Sequence, residues 1–137
     1  FWVGQAQPSA AVQQNLIALR DRFTLVRVNQ EIVPGLATVE SFGHTVGHLS
    51  VLITSGREKM MAYGDAGGHY ILSLRHAGSY LAFDTDGPRA AAARQRLFAE
   101  AATERYLMTS YHFPFPALGR IRRRDDYFEF VPVLWNW

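Results

Sequence analysis

Residues 42–48 read FGHTVGH, with two histidines four positions apart and a glycine before each of them. Histidines with this spacing usually share one face of a helix. Glycine is a poor helix former, however, and the flanking segments 31–42 and 48–56 have the character of β-strands. We therefore predict that this stretch is a tight turn at the end of a strand, not a helix.

The sequence around this turn predicts a layered α/β arrangement with a mostly antiparallel or mixed sheet. A helix is expected over 8–22, where apolar residues recur at helical spacing, and a short helix and a loop are expected within 68–83. A long alanine-rich helix follows Asp86, which has the position of an N-cap. The predicted strands are 23–28, two short strands within 31–42 around a Pro34-Gly35 turn, 48–56, 58–66, 106–111 and a closing hairpin over 119–133.

The composition limits the classes of protein to which the chain can belong. Apolar residues make up 48% and aromatic residues 13%, which indicates a folded domain. The absence of cysteine excludes disulfides and zinc–thiolate sites, and suits either a reducing or an oxidising compartment. No apolar run approaches the roughly 18–20 residues of a membrane span. The chain begins with Phe1, so we expect it to start inside a longer one, and its start does not indicate a localisation.

The positive charge gives no sign of a nucleic-acid partner. The formal net charge is +2, and four arginines lie close together at Arg120, Arg122, Arg123 and Arg124, directly before two aspartates. A nucleic-acid surface would need a basic stripe with interleaved aromatic residues. We interpret the cluster as a solvated hairpin tip. No G-x-G-x-x-G or Walker-type loop is present.

Three polar residues stand where predicted apolar strands end, and they are His44, Asp65 and His112. Side chains at strand ends project into the loops above a sheet, where sites are commonly built. Imidazole and carboxylate groups are suitable ligands for zinc, manganese or iron. The three residues are too far apart in the sequence for a local motif, so only the fold can bring them together. Each of them alone also fits a purely structural role.

An ordered set of motifs resembles the metallo-β-lactamase superfamily of metallohydrolases. These are GHTVGH, then YGDA one hairpin later, then HFPFPALGRI after a helix and a strand. The last motif, with FDTD before the long helix and the closing YFEFVPV, looks most like the branch that includes methyl parathion hydrolase. Quorum-quenching lactonases are more distant relatives in this comparison. The resemblance runs from about Glu31 to Val133.

The resemblance implies a centre of two divalent metal ions, with zinc as the first choice. In this family His44 would bind one ion, His112 the other, and Asp65 would bridge them as the catalytic carboxylate. His48 would orient the turn or a ligand rather than bind metal. The implied activity is hydrolysis of a small-molecule ester, lactone or phosphotriester by a metal-bound hydroxide. Val46 stands where the family usually has proline, at a position that is not a ligand.

One part of the family pattern is absent from these 137 residues. The HxHxDH motif of the N-terminal half, which supplies the remaining ligands, does not occur. Residues 1–137 are therefore expected to be the C-terminal half of an αββα sandwich domain. The other half would belong to another part of the protein or to a partner, and a homo-oligomer is a further option. The alternative is a non-catalytic fragment or remnant that binds no metal productively.

Several further residues are assigned from their positions around the predicted site. Asp86 is interpreted as a helix cap, and Asp84 has no clear role. Six residues are candidates for an apolar pocket wall, although core packing is the favoured interpretation of each, and they are His69, Leu72, Leu81, Phe83, Phe113 and Phe115.

Overall fold

The computed structural model describes residues 1–134, which form seven strands and three helices. The helices are α1 (Ala10–Val12, continued by a π turn over Gln13–Ile17), α2 (Leu72–Arg75) and α3 (Gly87–Glu104). Short 3₁₀ turns cover Trp2–Gly4, Arg20–Arg22 and Gly64–Gly67. The strands are β1 (Glu31–Val33), β2 (Leu36–Glu40), β3 (Leu49–Ser55), β4 (Glu58–Ala62), β5 (Leu107–Thr109), β6 (Leu118–Arg123) and β7 (Phe128–Pro132).

The seven strands form one sheet in sequence order. All neighbouring strands are antiparallel except β4 and β5, which are parallel. A parallel pair needs a crossover connection, and the chain between β4 and β5 supplies one that contains α2 and α3. The predicted mixed sheet is thus confirmed.

The core lies between α3 and one face of the sheet. Leu97 and Phe98 of α3 are at most 1% exposed, and they pack in one cluster with Met61 of β4 and Met108 of β5. The hydroxyl group of Tyr63, which follows β4, donates a hydrogen bond of 3.0 Å to the Leu97 carbonyl. This buried contact fixes α3 against the end of β4. No helix within residues 1–134 is long and apolar enough to cross a membrane.

Most predicted elements are present, but two segments near the N-terminus differ. The helix predicted over 8–22 is only a single α turn and a π turn, followed by a 3₁₀ turn. The strand predicted over 23–28 is wrong, because that segment pairs with no strand and Leu25 is 90% exposed. Strand propensity is effective only when a pleated surface and a neighbouring edge are available.

The two hairpin predictions are confirmed in the sheet. Strands β3 and β4 pair from Val51–Ala62 to Ser55–Glu58, and strands β6 and β7 pair from Gly119–Pro132 to Arg123–Phe128. The interpretation of the arginine cluster as the hairpin tip is wrong for three of its members, because Arg120, Arg122 and Arg123 lie in β6 and only Arg124 lies in the turn. Arg122 and Arg124 lie 2.8 and 2.9 Å from the carboxylate of Glu129. These arginine charges are therefore partly compensated within the hairpin.

The N-cap of α3 can be tested by substitution. Asp86 Oδ1 accepts a hydrogen bond of 3.1 Å from the backbone N–H of Arg89, as predicted for a cap. We expect Asp86→Ala to lower the free energy of unfolding by about 1 kcal/mol, since that N–H loses its partner. Urea denaturation of the intact protein measures this change. Asp125→Ala, at the exposed hairpin tip, is the matched control, and an equal effect of both variants would contradict the capping role.

Candidate metal centre

The sheet topology brings the three predicted site residues to one edge. Strands β2 and β4 run in the same direction because each is antiparallel to β3, and β5 is parallel to β4. The C-terminal ends of β2, β4 and β5 therefore lie at the same edge of the sheet, with β3 between β2 and β4. His44, Asp65 and His112 each follow one of these ends by three or four residues.

Asp65 lies between the two histidines. His112 Nε2 is 2.7 Å from Asp65 Oδ1, and His44 Nε2 is 3.7 Å from Asp65 Oδ2. The two imidazoles thus approach different oxygens of one carboxylate. All three side chains remain accessible, with exposed fractions of 20% for His44, 30% for Asp65 and 47% for His112.

A second carboxylate, that of Asp84, forms a hydrogen bond with the other ring nitrogen of His44. His44 Nδ1 lies 3.0 Å from Asp84 Oδ1, and the Asp84 side chain is fully buried. Because an ionised carboxylate only accepts hydrogen bonds, Nδ1 carries a proton in this contact, and in the neutral imidazole Nε2 then presents its lone pair to Asp65. Two acceptors, His44 Nε2 and Asp65 Oδ2, then face each other. Such an arrangement calls for a cation between them.

His48 supports the backbone of Asp65. Its Nε2 accepts a hydrogen bond of 3.1 Å from the Asp65 N–H, and its Nδ1 lies 2.7 Å from Ser41 Oγ. The imidazole is therefore neutral, with the proton on Nδ1. Burial lowers the pKa of His48, and this effect outweighs the Asp65 carboxylate, which would raise it. His48 has the orienting role that the sequence predicted.

Asp65 stays a carboxylate despite its partial burial. Burial alone would raise its pKa, but hydrogen bonds from Tyr111 and His112 lower it, and on balance the pKa of Asp65 is lowered. In turn, burial and the Asp65 carboxylate raise the pKa of Tyr111 to about 12. Tyr111 was missed from the sequence, where it is only the last residue of a predicted strand. An aromatic residue directly before His112 was the available signal.

The glycine-rich turn over 42–48 is closed against the start of α3. The backbone N–H groups of Thr85 and Asp86 donate to the carbonyls of His44 and Gly43, at 3.0 and 2.9 Å. Gly43 has a φ of +129°, and a Cβ there would overlap the backbone nitrogen of Ala90. Glycine at position 43 therefore allows the turn to approach α3 closely, because that helix packs directly on Gly43.

An open cleft of about 610 Å³ lies over the three site residues. Four of the six predicted wall residues line it, namely His69, Leu72, Leu81 and Phe83. The two other candidates do not line it: core packing is confirmed for Phe113, whereas neither interpretation holds for Phe115. Phe113 is only 5% exposed and packs in the core against Phe130, whereas Phe115 is 85% exposed and does not line the cleft.

Comparison with known proteins gives matches at the level of structure. No family model matches the sequence, and no curated protein matches it significantly. AidC, a dizinc quorum-quenching lactonase solved with an N-acyl homoserine product, matches with a TM-score of 0.85 and 25% identity, over 92% of this chain and 43% of that chain. The hydrolase AbOPH of the beta-lactamase superfamily matches with a TM-score of 0.83 and 21% identity, over 91% and 44%. A probable metal-dependent hydrolase from Staphylococcus aureus matches with a TM-score of 0.67 and 19% identity, over 84% and 42%.

The chain has the metallo-β-lactamase fold. It spans less than half the length of the structures that it matches, which is consistent with the predicted C-terminal half of the sandwich. The matching structures are metal-dependent lactonases and other hydrolases. They do not single out the methyl parathion hydrolase branch, which stays a prediction.

The donor atoms of the site suit a divalent metal ion of this fold. Imidazole nitrogen and carboxylate oxygen bind zinc at about 2.0–2.2 Å, and the 3.7 Å between His44 Nε2 and Asp65 Oδ2 leaves space for an ion held by both. The shorter contact between His112 and Asp65 is a direct hydrogen bond. Residues 1–134 contain no group of three or more His, Asp or Glu side chains that could hold an ion by themselves. The residues fit as a partial ligand set.

The two glycines of the turn should respond differently to substitution. Gly43→Ala should destabilise the protein by about 1–3 kcal/mol or more, because it combines a strained φ with overlap against Ala90. Gly47→Ala is the matched control, since a Cβ there has open space. Thermal or urea unfolding measures both variants. Equal stability of the two would contradict the close packing of the turn on α3.

His48 should contribute to stability without binding metal. His48→Ala leaves the Asp65 N–H without its acceptor, while the Ser41 hydroxyl keeps its bond to the backbone carbonyl of residue 48, so we expect a loss of about 1–3 kcal/mol in the free energy of unfolding. The same measurement on His76→Ala, an exposed histidine, should show a change within about 0.5 kcal/mol. A loss for His48→Ala as small as for the control would exclude the supporting role.

Proposed function

We propose that the chain is the C-terminal portion of a metallo-β-lactamase-fold domain that hydrolyses a small-molecule ester, lactone or phosphotriester with two divalent metal ions. In this proposal His44 and His112 each bind one ion and Asp65 bridges both. The observation that carries it is the approach of the two imidazoles to different oxygens of the Asp65 carboxylate. This arrangement suits a bridging carboxylate better than a single hydrogen-bonded pair.

The proposal requires ligands from outside the chain. Each ion would receive one imidazole nitrogen and one carboxylate oxygen from these residues, whereas zinc sites usually have at least three protein ligands. The remaining ligands would come from an N-terminal half that carries the HxHxDH motif. That half would belong to the same protein or to a partner.

The residues of the chain have distinct tasks in this proposal. The bound ions would polarise the scissile carbonyl or phosphoryl oxygen and lower the pKa of a water molecule. Asp65 would hold the ions together, and His48 would fix the backbone of Asp65. Asp84 would keep the proton of His44 on Nδ1, so that Nε2 is free to bind.

The cleft supports a substrate with an apolar part. Leu72, Leu81 and Phe83 form an apolar wall beside the proposed metal ligands. Such a wall suits the acyl chain of an ester or lactone, or the organic group of a phosphotriester. The AidC structure contains the product of an N-acyl homoserine lactone, so we propose lactones of that kind as the first substrates to test.

The alternative is a remnant of the fold without productive metal binding. It is favoured by the absence, within residues 1–134, of any side-chain group that could hold an ion by itself. The intact mass of the native polypeptide separates these readings first. A mass well above 15.5 kDa would mean that the polypeptide is long enough to carry the missing ligands, whereas a mass of 15.5 kDa would leave either a partner that supplies them or a loss of catalysis.

The proposed role of Asp65 leads to a test on the intact protein. Metal analysis should find close to two divalent ions per site, and Asp65→Asn should lower this metal content. The same substitution should lower kcat/KM for N-acyl lactone, aryl ester and phosphotriester substrates by about a hundredfold or more. Asp21→Asn, at an exposed aspartate, is the matched control. Full activity of Asp65→Asn would refute the proposal. Metal-dependent turnover by the 137-residue chain alone would refute the half-site.

A further inference from the structure

Arg94 is a fully buried arginine behind the candidate metal centre. It lies on α3, and its side chain is 1% exposed. Its Nε donates to the Ala66 carbonyl at 3.1 Å, and its Nη1 donates to the Ser79 carbonyl at 2.5 Å. Its Nη2 lies 3.5 Å from Asp84 Oδ2, the second oxygen of the carboxylate that holds His44. Nothing in the sequence analysis singled out this residue.

The burial of this pair needs an explanation other than stability. Removing two charges from water costs free energy that their mutual attraction often fails to recover, so a buried ion pair is weak evidence of stabilisation. Arg94 Nη2 also has no hydrogen-bond partner of good geometry within the described residues. An apolar side chain would fill the same place more simply. The charge is therefore expected to serve the carboxylate that it faces.

The contacts of Arg94 connect two of the three segments that carry proposed ligands, those of Asp65 and His44, to helix α3. Ala66 directly follows Asp65, and Asp84 is the hydrogen-bond partner of His44. The guanidinium thus contacts the turn of one proposed ligand and the supporting carboxylate of another. A planar group with several fixed N–H directions can hold such contacts together, whereas the single ammonium of lysine cannot.

We propose that Arg94 is a positioning residue for the metal centre. Through Asp84 it fixes the proton of His44 on Nδ1 and leaves Nε2 available to a metal ion. Through the Ala66 carbonyl it fixes the turn that presents Asp65. This inference rests on the proposed function in its metal-binding part, but its effect on His44 exists without any ion.

The first experiment measures the tautomer of His44 in the metal-free intact protein. Long-range ¹H–¹⁵N NMR spectra at pH 8.5, where an ordinary imidazole is neutral, distinguish a proton on Nδ1 from one on Nε2. We expect the Nδ1–H form in the unsubstituted protein and a mixture of both forms in Arg94→Met and Arg94→Lys. Arg96→Met, two residues along the same helix, is the matched control and should keep the single form.

The second experiment measures zinc affinity of the same variants. We expect Arg94→Met to weaken zinc binding by about 10–100-fold, the range for partners of metal ligands, and Arg96→Met to leave it unchanged. If Arg94→Met fails to fold, the double variant Asp84→Asn/Arg94→Met removes both charges together and keeps an acceptor for His44 Nδ1. In the Asp84→Asn background, Arg94 has only its contact with the Ala66 turn left to contribute, so its further substitution should weaken zinc binding less than it does in the unsubstituted protein.

The outcomes separate this inference from the proposed function. An unchanged His44 tautomer in a folded Arg94→Met variant overturns the role through Asp84, and an unchanged zinc affinity in the same variant overturns the positioning role as a whole, whatever the activity. Loss of stability without a change in tautomer or zinc affinity overturns it too, because it indicates packing alone. A tautomer change in a protein that hydrolyses no substrate supports Arg94 and refutes only the hydrolase proposal.

Discussion

The parallel pairing of β4 with β5 brings two of the three candidate ligands, Asp65 and His112, to the same edge of the sheet. Antiparallel neighbours would send successive strand ends to opposite edges of the sheet. The crossover through α3 instead returns the chain so that β5 runs alongside β4, and Asp65 and His112 emerge together. The same helix starts next to Gly43 and thereby holds the turn of His44 against the other two. Helix α3 therefore lies in the crossover between β4 and β5, covers the core and packs against the turn that carries His44.

The parts of this arrangement that were predictable from sequence are those with a local signal. His44, Asp65 and His112 each follow an apolar strand, and Asp86 has a cap position before an alanine-rich helix. By contrast, Asp84 and His44 are 40 residues apart, and no local pattern marks their hydrogen bond. The strand predicted over 23–28 is absent for a different reason. Its alternating pattern is a local signal, but the fold provides no neighbouring strand with which it could pair.

The predicted roles of small residues and aromatic residues depended in the same way on tertiary packing. Gly43 and Gly47 look equivalent in the sequence, yet only Gly43 is enclosed, because α3 packs on one side of the turn. Phe113 and Phe115 are two positions apart in one motif, yet one is in the core and the other is largely exposed. The order of residues cannot distinguish these cases, since the difference lies in which element is packed above them.

The charges around the site explain why a cation would be favoured at Asp65 and not elsewhere. The described site contains two carboxylates, Asp65 and Asp84, and one buried guanidinium. Arg94 faces Asp84, so the charge of the buried carboxylate has its counter-ion inside the protein. Asp65 has hydrogen bonds from Tyr111 and His112 but no arginine or lysine partner among the described residues, and it opens to the cleft. Asp65 is therefore the carboxylate without a fixed counter-ion, and it is accessible and lies next to two imidazole nitrogens. This distribution of charge supports the proposal that divalent ions bind at the cleft and not beside Asp84, because the buried carboxylate already faces the Arg94 cation.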